Sequence, residues 1–206
     1  MNPATAPLIH IVDDEDALRR ALAFLLEGAG WQVAAYDSAE AFLSAWTPGS
    51  PPGCLILDIR MPMMSGLELQ RVLKERDIRL PIIFLTGHAD VPMAVQAMRL
   101  GAFEFIEKPF KDQLLLDAVN CAVRHHLAHR EEKAARRAVR EKLGRLSPRE
   151  MEVARLVSAG LTNKCIAQEL DISERTVQVH RLHLMEKLGL HSAVELTQLL
   201  LKSDAQ

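Results

Sequence analysis

Apolar residues arrive along this chain in two alternating rhythms. Leu8–Val12 is a short β-type run that stops at four consecutive acidic residues, Asp13 to Asp16. Leu18, Leu22, Leu25 and Leu26 then recur at helical spacing, which predicts a helix over 17–29 with its exit at Gly28 and Gly30. Residues 31–36 read as a second strand. Ser38 can cap a helix carrying Ala41, Phe42 and Ala45, and residues 48–53 are a loop by their Pro, Gly and Ser content. Leu55, Ile56 and Leu57 show no alternation at all, the mark of a strand buried on both faces, and the run ends abruptly at Asp58. Ser65 and Glu68 form a capping box for a helix through Leu69, Val72 and Leu73. Residues 81–85 make a fourth buried strand ending at Thr86-Gly87. A helix begins at Asp90, Val91 and Pro92 and closes at Gly101. Residues 102–106 are the fifth strand, followed by Lys108-Pro109-Phe110, and Asp112 opens another helix.

Five strands alternating with helices predict an α/β doubly wound fold, a five-stranded parallel sheet with helices on both faces. From Phe110 to Leu143 there is neither Gly nor Pro. Leu116, Val119, Val123 and Leu127 keep an apolar stripe, after which the composition turns charged. One long helix with a solvated second half fits this stretch; so does a helix that gives way to a frayed linker after Arg130. Gly144 breaks the run. Ser147-Pro148-Arg149-Glu150 then combines an N-cap, a first-position Pro and a third-position Glu. Thr162, Ser173 and Ser192 cap three further helices, so a small all-α four-helix domain follows. The expected layout is a first domain over 6–122, a helical linker over 123–143 and a second domain over 144–206.

Composition adds an asymmetry. The net charge of −2 divides into 16 acidic and 10 basic side chains before residue 121, net −6, and 11 acidic and 15 basic after it, net +4. A basic second half suits nucleic acid, although chance produces imbalances of this size. Cys54, Cys121 and Cys165 are too few and too scattered for a disulfide framework or a zinc site, which points to a reducing cytoplasm. No apolar run reaches the ~20 residues of a membrane span, and residues 1–7 lack the pattern of a secretory signal. His125, His126 and His129 have no Cys or carboxylate spaced to complete a metal site and read as a solvated helix face.

The polar residues that interrupt the apolar runs fall at one place in such a fold. Asp13 and Asp14 follow the first strand, Asp58 ends the third, Thr86 ends the fourth and Lys108 follows the fifth. The carboxyl ends of parallel strands form one edge, where open α/β sheets bind ligands. Three carboxylates gathered there repel unless a cation joins them; Mg2+ with oxygen ligands is the natural one, and a lysine adds a point charge. An Asp nucleophile, a metal clamp and cationic support suit phosphoryl transfer to a carboxylate. Asp13-Asp14, Asp58-x-Arg60-Met61-Pro62, Thr86-Gly87 and Lys108-Pro109-Phe110 together resemble a response-regulator receiver domain, flavodoxin-like in fold, over roughly residues 6–125. The resemblance implies that Asp58 accepts a phosphoryl group from a sensor histidine kinase. It implies Mg2+ at Asp13, Asp14, Asp58 and the Ile59 backbone carbonyl, with Asp13 acting largely through water. Thr86 and Phe105 match the switch positions, Lys108 would contact the phosphoryl group, and the Lys108-Pro109 bond would be cis. A phosphatase with an Asp nucleophile is the enzymatic alternative, but Arg60 stands where its second carboxylate belongs, so no catalytic residue in the turnover sense is expected.

In the second half, helices on either side of Asp171-Ile172 have the layout of a helix-turn-helix, or of an ordinary α-hairpin with a polar outer face. At 100° per residue, the side opposite Val177 carries Arg175, Val179, Leu182 and Glu186, with Gln178 at its flank. Gln178 suits adenine and Val179 a thymine methyl, while Lys164, Arg175, Arg181, Lys187 and the helix start at Ser173 and Thr176 suit phosphates. Leu146 to Glu150, Asn163-Lys164-x-Ile166-Ala167 and Thr176-Val177-x-x-His180-Arg181 are similar to the LuxR/FixJ-type DNA-binding domain over about 143–203. That resemblance implies a recognition helix over 174–188, with Leu182 where relatives often carry a polar side chain, and a dimer contact in the last helix. The two halves together imply a transcription regulator, usually an activator, that forms a homodimer on phosphorylation and works with promoter DNA and RNA polymerase. A phosphorylation-independent regulator with a dimerising receiver is the alternative.

Overall fold

The computed structural model describes residues 6–87 and 91–204; the expected helix start at Asp90 and most of the 1–7 stretch lie outside them. The chain forms two compact units that divide between Arg130 and Glu131. The first is built from β1 (Leu8–Val12), α1 (Asp16–Gly28), β2 (Gln32–Tyr36), α2 (Ala39–Ala45), β3 (Gly53–Asp58), α3 (Gly66–Glu75), β4 (Ile82–Thr86), α4 (Val91–Arg99), β5 (Glu104–Glu107) and the start of α5 (Asp112–Leu143). The sheet is parallel throughout, in the order β2-β1-β3-β4-β5.

β3 lies at the centre and every one of its residues is buried. Cys54 and Ile56 enter the layer formed with Leu22, Leu26, Leu115 and Val119, whereas Leu55 and Leu57 enter the layer formed with Phe42, Leu69 and Leu73. Two apolar layers on one strand are what the unalternating run required. Gly53 starts that strand because β1 approaches it closely: a Cβ there would lie 1.8 Å from the Leu8 carbonyl oxygen. The expected caps form. Ser38 accepts the Ala41 N–H, and Ser65 and Glu68 close a full capping box. β5 begins at Glu104 rather than 102, because the Ala102 N–H bonds the Ala97 carbonyl at 3.0 Å and so finishes α4 through Gly101, whose φ is +95°.

α5 runs unbroken through the expected linker, but that linker is not solvated along its length. Val123 is in the core of the first unit and Leu127 packs against it. His126 is buried, with Nδ1 2.9 Å from the Gly53 carbonyl oxygen and 3.1 Å from its nitrogen. The reading of all three histidines as a solvated face is therefore corrected for His126, which fastens the helix to the sheet, and burial lowers its pKa. Val139 and Leu143 belong to the core of the second unit. Between these ends the helix carries i,i+4 ion pairs, Arg136 to Glu132 and Arg137 to Glu141.

The second unit adds α6 (Pro148–Ser158), α7 (Asn163–Leu170), α8 (Glu174–Leu188) and α9 (Ala193–Asp204). Val153, Val157, Ile166, Val177, Leu184, Leu188 and Leu196 make its core. Ser147, Thr162, Ser173 and Ser192 each accept the expected first-turn N–H. Among the described residues, no helix is long and apolar enough to cross a membrane.

Candidate functional site

The strand ends of the first unit bring Asp13, Asp58, Thr86 and Lys108 to one edge. Asp58 is the last residue of β3 and pairs in register with Leu85, one residue before Thr86. The Thr86 carbonyl accepts the Lys108 N–H at 2.8 Å, which carries the chain from β5 back over the site. The Lys108-Pro109 bond is cis. The Lys108 ammonium then reaches Asp58 Oδ1 at 2.8 Å and Asp13 Oδ2 at 3.0 Å. Both carboxylates are nearly closed off from water, with Asp13 2% and Asp58 7% exposed. The Arg60 N–H donates to Asp58 Oδ2 at 2.7 Å, and the Glu15 N–H to Asp13 Oδ1 at 2.8 Å. All four carboxylate oxygens therefore accept a hydrogen bond.

Burial pushes the Asp58 carboxyl above its usual range, and the hydrogen bond and charge of Lys108 oppose that shift without cancelling it. For Lys108 burial alone would lower the ammonium, but its hydrogen bonds to Asp58 and Asp13 outweigh burial and leave its pKa raised. The edge is thus a poised cluster. Two buried carboxylates share one cation, and burial makes Asp58 harder to hold as an anion.

Gly66 fixes the turn that presents Asp58. A Cβ there would lie 2.3 Å from the Asp58 carbonyl oxygen. The Gly66 N–H donates to the Ile59 carbonyl at 2.9 Å. The Ile59 carbonyl, expected as a metal ligand, thus also accepts a hydrogen bond in the turn. Asp14 is exposed beside the cluster. The donors here are carboxylate oxygens, the hard set that suits Mg2+. Among the described residues no three metal-ligating side chains stand together as a finished group, and the Lys108 ammonium lies between Asp13 and Asp58. Thr86 is buried. Phe105 is half-buried, its ring 6.5 Å from that of Phe84.

In the second unit α7 and α8 are joined through Asp171, whose φ of 53° makes the left-handed turn, and Ile172, whose N–H returns to the Ala167 carbonyl. Val177, Leu184 and Leu188 point α8 inward. Its outer side presents Arg175, Gln178, Val179 and Leu182, the last two 44% and 58% exposed. Lys164 and Ser173 are exposed as well, and Thr176 is partly so. Two of the expected phosphate contacts also bond within the unit. Arg181 donates to Asn163 Oδ1 at 2.7 Å. Lys187 donates to both oxygens of Glu150, at 2.8 and 2.7 Å. Sequence reasoning missed Glu150 as a partner because it saw only a helix cap there; a buried acidic residue opposite a helix-end lysine leaves no periodic trace.

Residues 9–120 match the family of response regulator receiver domains, and residues 144–200 match the luxR family of bacterial regulatory proteins. The chain is 47% identical over 193 residues to the transcriptional regulatory protein FixJ of Rhizobium meliloti, covering 94% of each chain. It is 44% identical to the response regulator protein TodT of Pseudomonas putida, covering 94% of this chain and 85% of that one. Among solved structures, the response regulator StyR aligns with a TM-score of 0.88 at 41% identity, over 96% of this chain and all of the other. A full-length FixJ from B. japonicum aligns with a TM-score of 0.60, also at 41% identity, over 98% of this chain and 99% of that one. The chain belongs to the FixJ-like response regulators, the transcriptional regulators of two-component systems that join a receiver domain to a LuxR-type DNA-binding domain.

Proposed function

We propose that Asp58 is the phosphoacceptor and that its phosphorylation by a sensor histidine kinase gates DNA binding. The observation that carries this reading is the Lys108 ammonium bridging Asp58 and Asp13 at hydrogen-bond distance on the sheet edge. An oxygen of Asp58 attacks the phosphorus of the kinase phosphohistidine. The new O–P bond forms as the P–N bond breaks, and the electron pair leaves on the imidazole nitrogen, which takes a proton from solvent. Lys108 already sits on Oδ1 and follows the charge onto the phosphoryl oxygens. The Arg60 N–H holds the other oxygen and keeps the carboxylate oriented.

Asp13, Asp14 and Asp58 are the residues that would hold Mg2+, which when bound neutralises the incoming phosphoryl charge. For the backbone ligand the Arg60 carbonyl, which accepts no hydrogen bond among the described residues, stands beside that of Ile59, which accepts one. The Thr86 hydroxyl then bonds a phosphoryl oxygen, and Phe105 turns in toward the space Thr86 leaves. That pair shifts the surface around residues 90–106, part of which lies outside the described residues, and favours a homodimer. Paired output domains engage two half-sites of promoter DNA and gain avidity. Gln178, Val179 and Leu182 face the bases, while Lys164, Ser173, Arg175 and Thr176 face phosphates, as does Arg181 with the donors that its bond to Asn163 leaves over. RNA polymerase is the final partner of an activator in the cytoplasm. The aspartyl phosphate is a stored signal rather than a turnover intermediate.

The test is incubation with acetyl phosphate and Mg2+, followed by intact mass and by selection of bound duplexes from a random pool. Wild type gains one phosphoryl group and enriches a two-half-site sequence; Asp58→Asn does neither. Phosphoryl uptake by Asp58→Asn at that position sinks the site, and equal enrichment with and without the phosphodonor sinks the gating.

A further inference from the structure

Lys187 looks from the sequence like one more cation for DNA, yet its surroundings say otherwise. It lies in the last turn of α8, beside the buried anchor Leu188. Its Nζ donates to Glu150 Oε1 at 2.8 Å and to Oε2 at 2.7 Å. The Glu150 side chain is 5% exposed, whereas that of Lys187 is 43% exposed. Oε2 also accepts the Ser147 N–H at 2.7 Å, and Ser147 Oγ accepts the Glu150 N–H at 3.2 Å. One buried carboxylate therefore closes the capping box of α6 and grips the end of α8. Lys187 and Ser147 hold that carboxyl down to about 2, so the grip persists across the physiological range.

We infer that Glu150 and Lys187 are a positioning pair that fixes the placement of α8 for base reading, and that Lys187 is not a phosphate contact. The inference rests on α8 being the recognition helix. Val177, Leu184 and Leu188 anchor one stripe of α8. A charged pair with two short bonds at one end adds a directional constraint on its placement. Hydrogen bonds to base edges need placement to within about half an ångström, whereas attraction to the phosphate backbone does not. Loosening the pair therefore costs recognition of the right sequence and leaves general DNA affinity in place.

The experiment uses the full chain with acetyl phosphate and Mg2+. Dissociation constants are measured for a duplex selected from a random pool and for its scrambled counterpart, between about 50 and 200 mM KCl. Lys187→Gln is expected to weaken the selected duplex about tenfold, to leave the scrambled one within about twofold, and to keep the salt slope of wild type. Arg175→Gln, on the outer side, should lower the salt slope by about one instead. The double variant Glu150→Gln/Lys187→Gln should bind no worse than Lys187→Gln alone, because the two act as one unit. Lys187→Arg should restore the selected duplex to within a few-fold. Thermal melts followed by circular dichroism identify variants that fail to fold; should Lys187→Gln fail, Glu150→Gln, which keeps a hydrogen-bonding group in the capping box, is read by the same salt-slope and duplex comparison.

A lower salt slope with equal loss on both duplexes would make Lys187 a phosphate contact and overturn the inference. Additive losses in the double variant would do the same. A wild-type chain that selects no sequence would remove the recognition-helix reading itself, and this inference with it.

Discussion

Replacing Lys108 with Gln tests the cluster without touching the phosphoacceptor. The substitution removes an ammonium that makes bonds of 2.8 and 3.0 Å to two carboxylates that are almost fully buried. Each charge-assisted bond of this kind is worth about 1.5–3 kcal/mol net, and stripping one partner from a buried pair costs about 3–5 kcal/mol. The Lys108 side chain is 21% exposed, so water screens part of the interaction and the low end applies, about 3 kcal/mol. For a unit of this size each kcal/mol moves the melting temperature by about 4 °C, which gives a drop of about 10 °C. Trp31 and Trp46, the two tryptophans of the chain, both lie in the first unit, so their fluorescence reports its melting alone. The measurement belongs in EDTA at pH 7. The pH dependence has a definite sign. Asp58 has a folded pKa raised above the ordinary 3.8, so its ionisation opposes folding above that window and the penalty is relieved as pH falls through it. Loss of Lys108 raises Asp58 further. The deficit of the variant should therefore shrink on acidification from neutral toward the ordinary carboxylate pKa. Added Mg2+ should restore part of the stability at pH 7 by replacing the lost charge. A variant that melts within about 2 °C of wild type in EDTA, or whose deficit grows on acidification, refutes the electrostatic account of the edge.

His10 is buried against Tyr36, Phe42 and Trp46, and burial takes its pKa down to about 4. The unfolded chain binds a proton that the folded one refuses, so stability is full above about pH 6.5 and falls by about 3 kcal/mol as pH drops to 4; His10→Leu should flatten that slope in urea titrations. Gly66→Ala forces a Cβ to within 2.3 Å of the Asp58 carbonyl oxygen, so we expect destabilisation of about 3 kcal/mol and a phosphorylation rate down about tenfold or more, read by acetyl phosphate labelling. Cys54 is buried and its thiol is pushed up to about 12, whereas Cys121 and Cys165 are exposed; iodoacetamide at pH 8 should label two thiols in the native chain and the third only in guanidinium. Labelling of Cys54 at the rate of the other two would contradict the burial of β3.

The fold was legible wherever one physical requirement dominates a stretch of chain. β3 had to be apolar on both faces because both faces are covered, and the missing alternation says so directly. The caps were legible because an N-cap hydroxyl and a third-position Glu satisfy local donors that no distant residue can reach. Features set by distant partners were not. The start of β5 depends on its pairing with Ile82 and Ile83 of β4, and the burial of His126 depends on Gly53, 73 residues away in sequence.

The same distinction separates the two sites. At the sheet edge every expected polar residue arrives at its strand end, because the topology alone gathers Asp13, Asp58, Thr86 and Lys108 there. Ile59 offers a carbonyl, a group every residue has, so only the structure reveals that it also accepts the Gly66 N–H. On α8 the cations were counted by their position on a wheel, which says which way a Cβ points but not where a four-carbon stem ends. Arg181 and Lys187 both turn to acceptors on other helices, Asn163 on α7 and Glu150 on α6. A basic residue on the face of a helix is therefore evidence for DNA contact only after its acceptors within the fold have been sought. By that standard Lys164 and Arg175 are better candidates for phosphate contact than Lys187, whose ammonium is on Glu150.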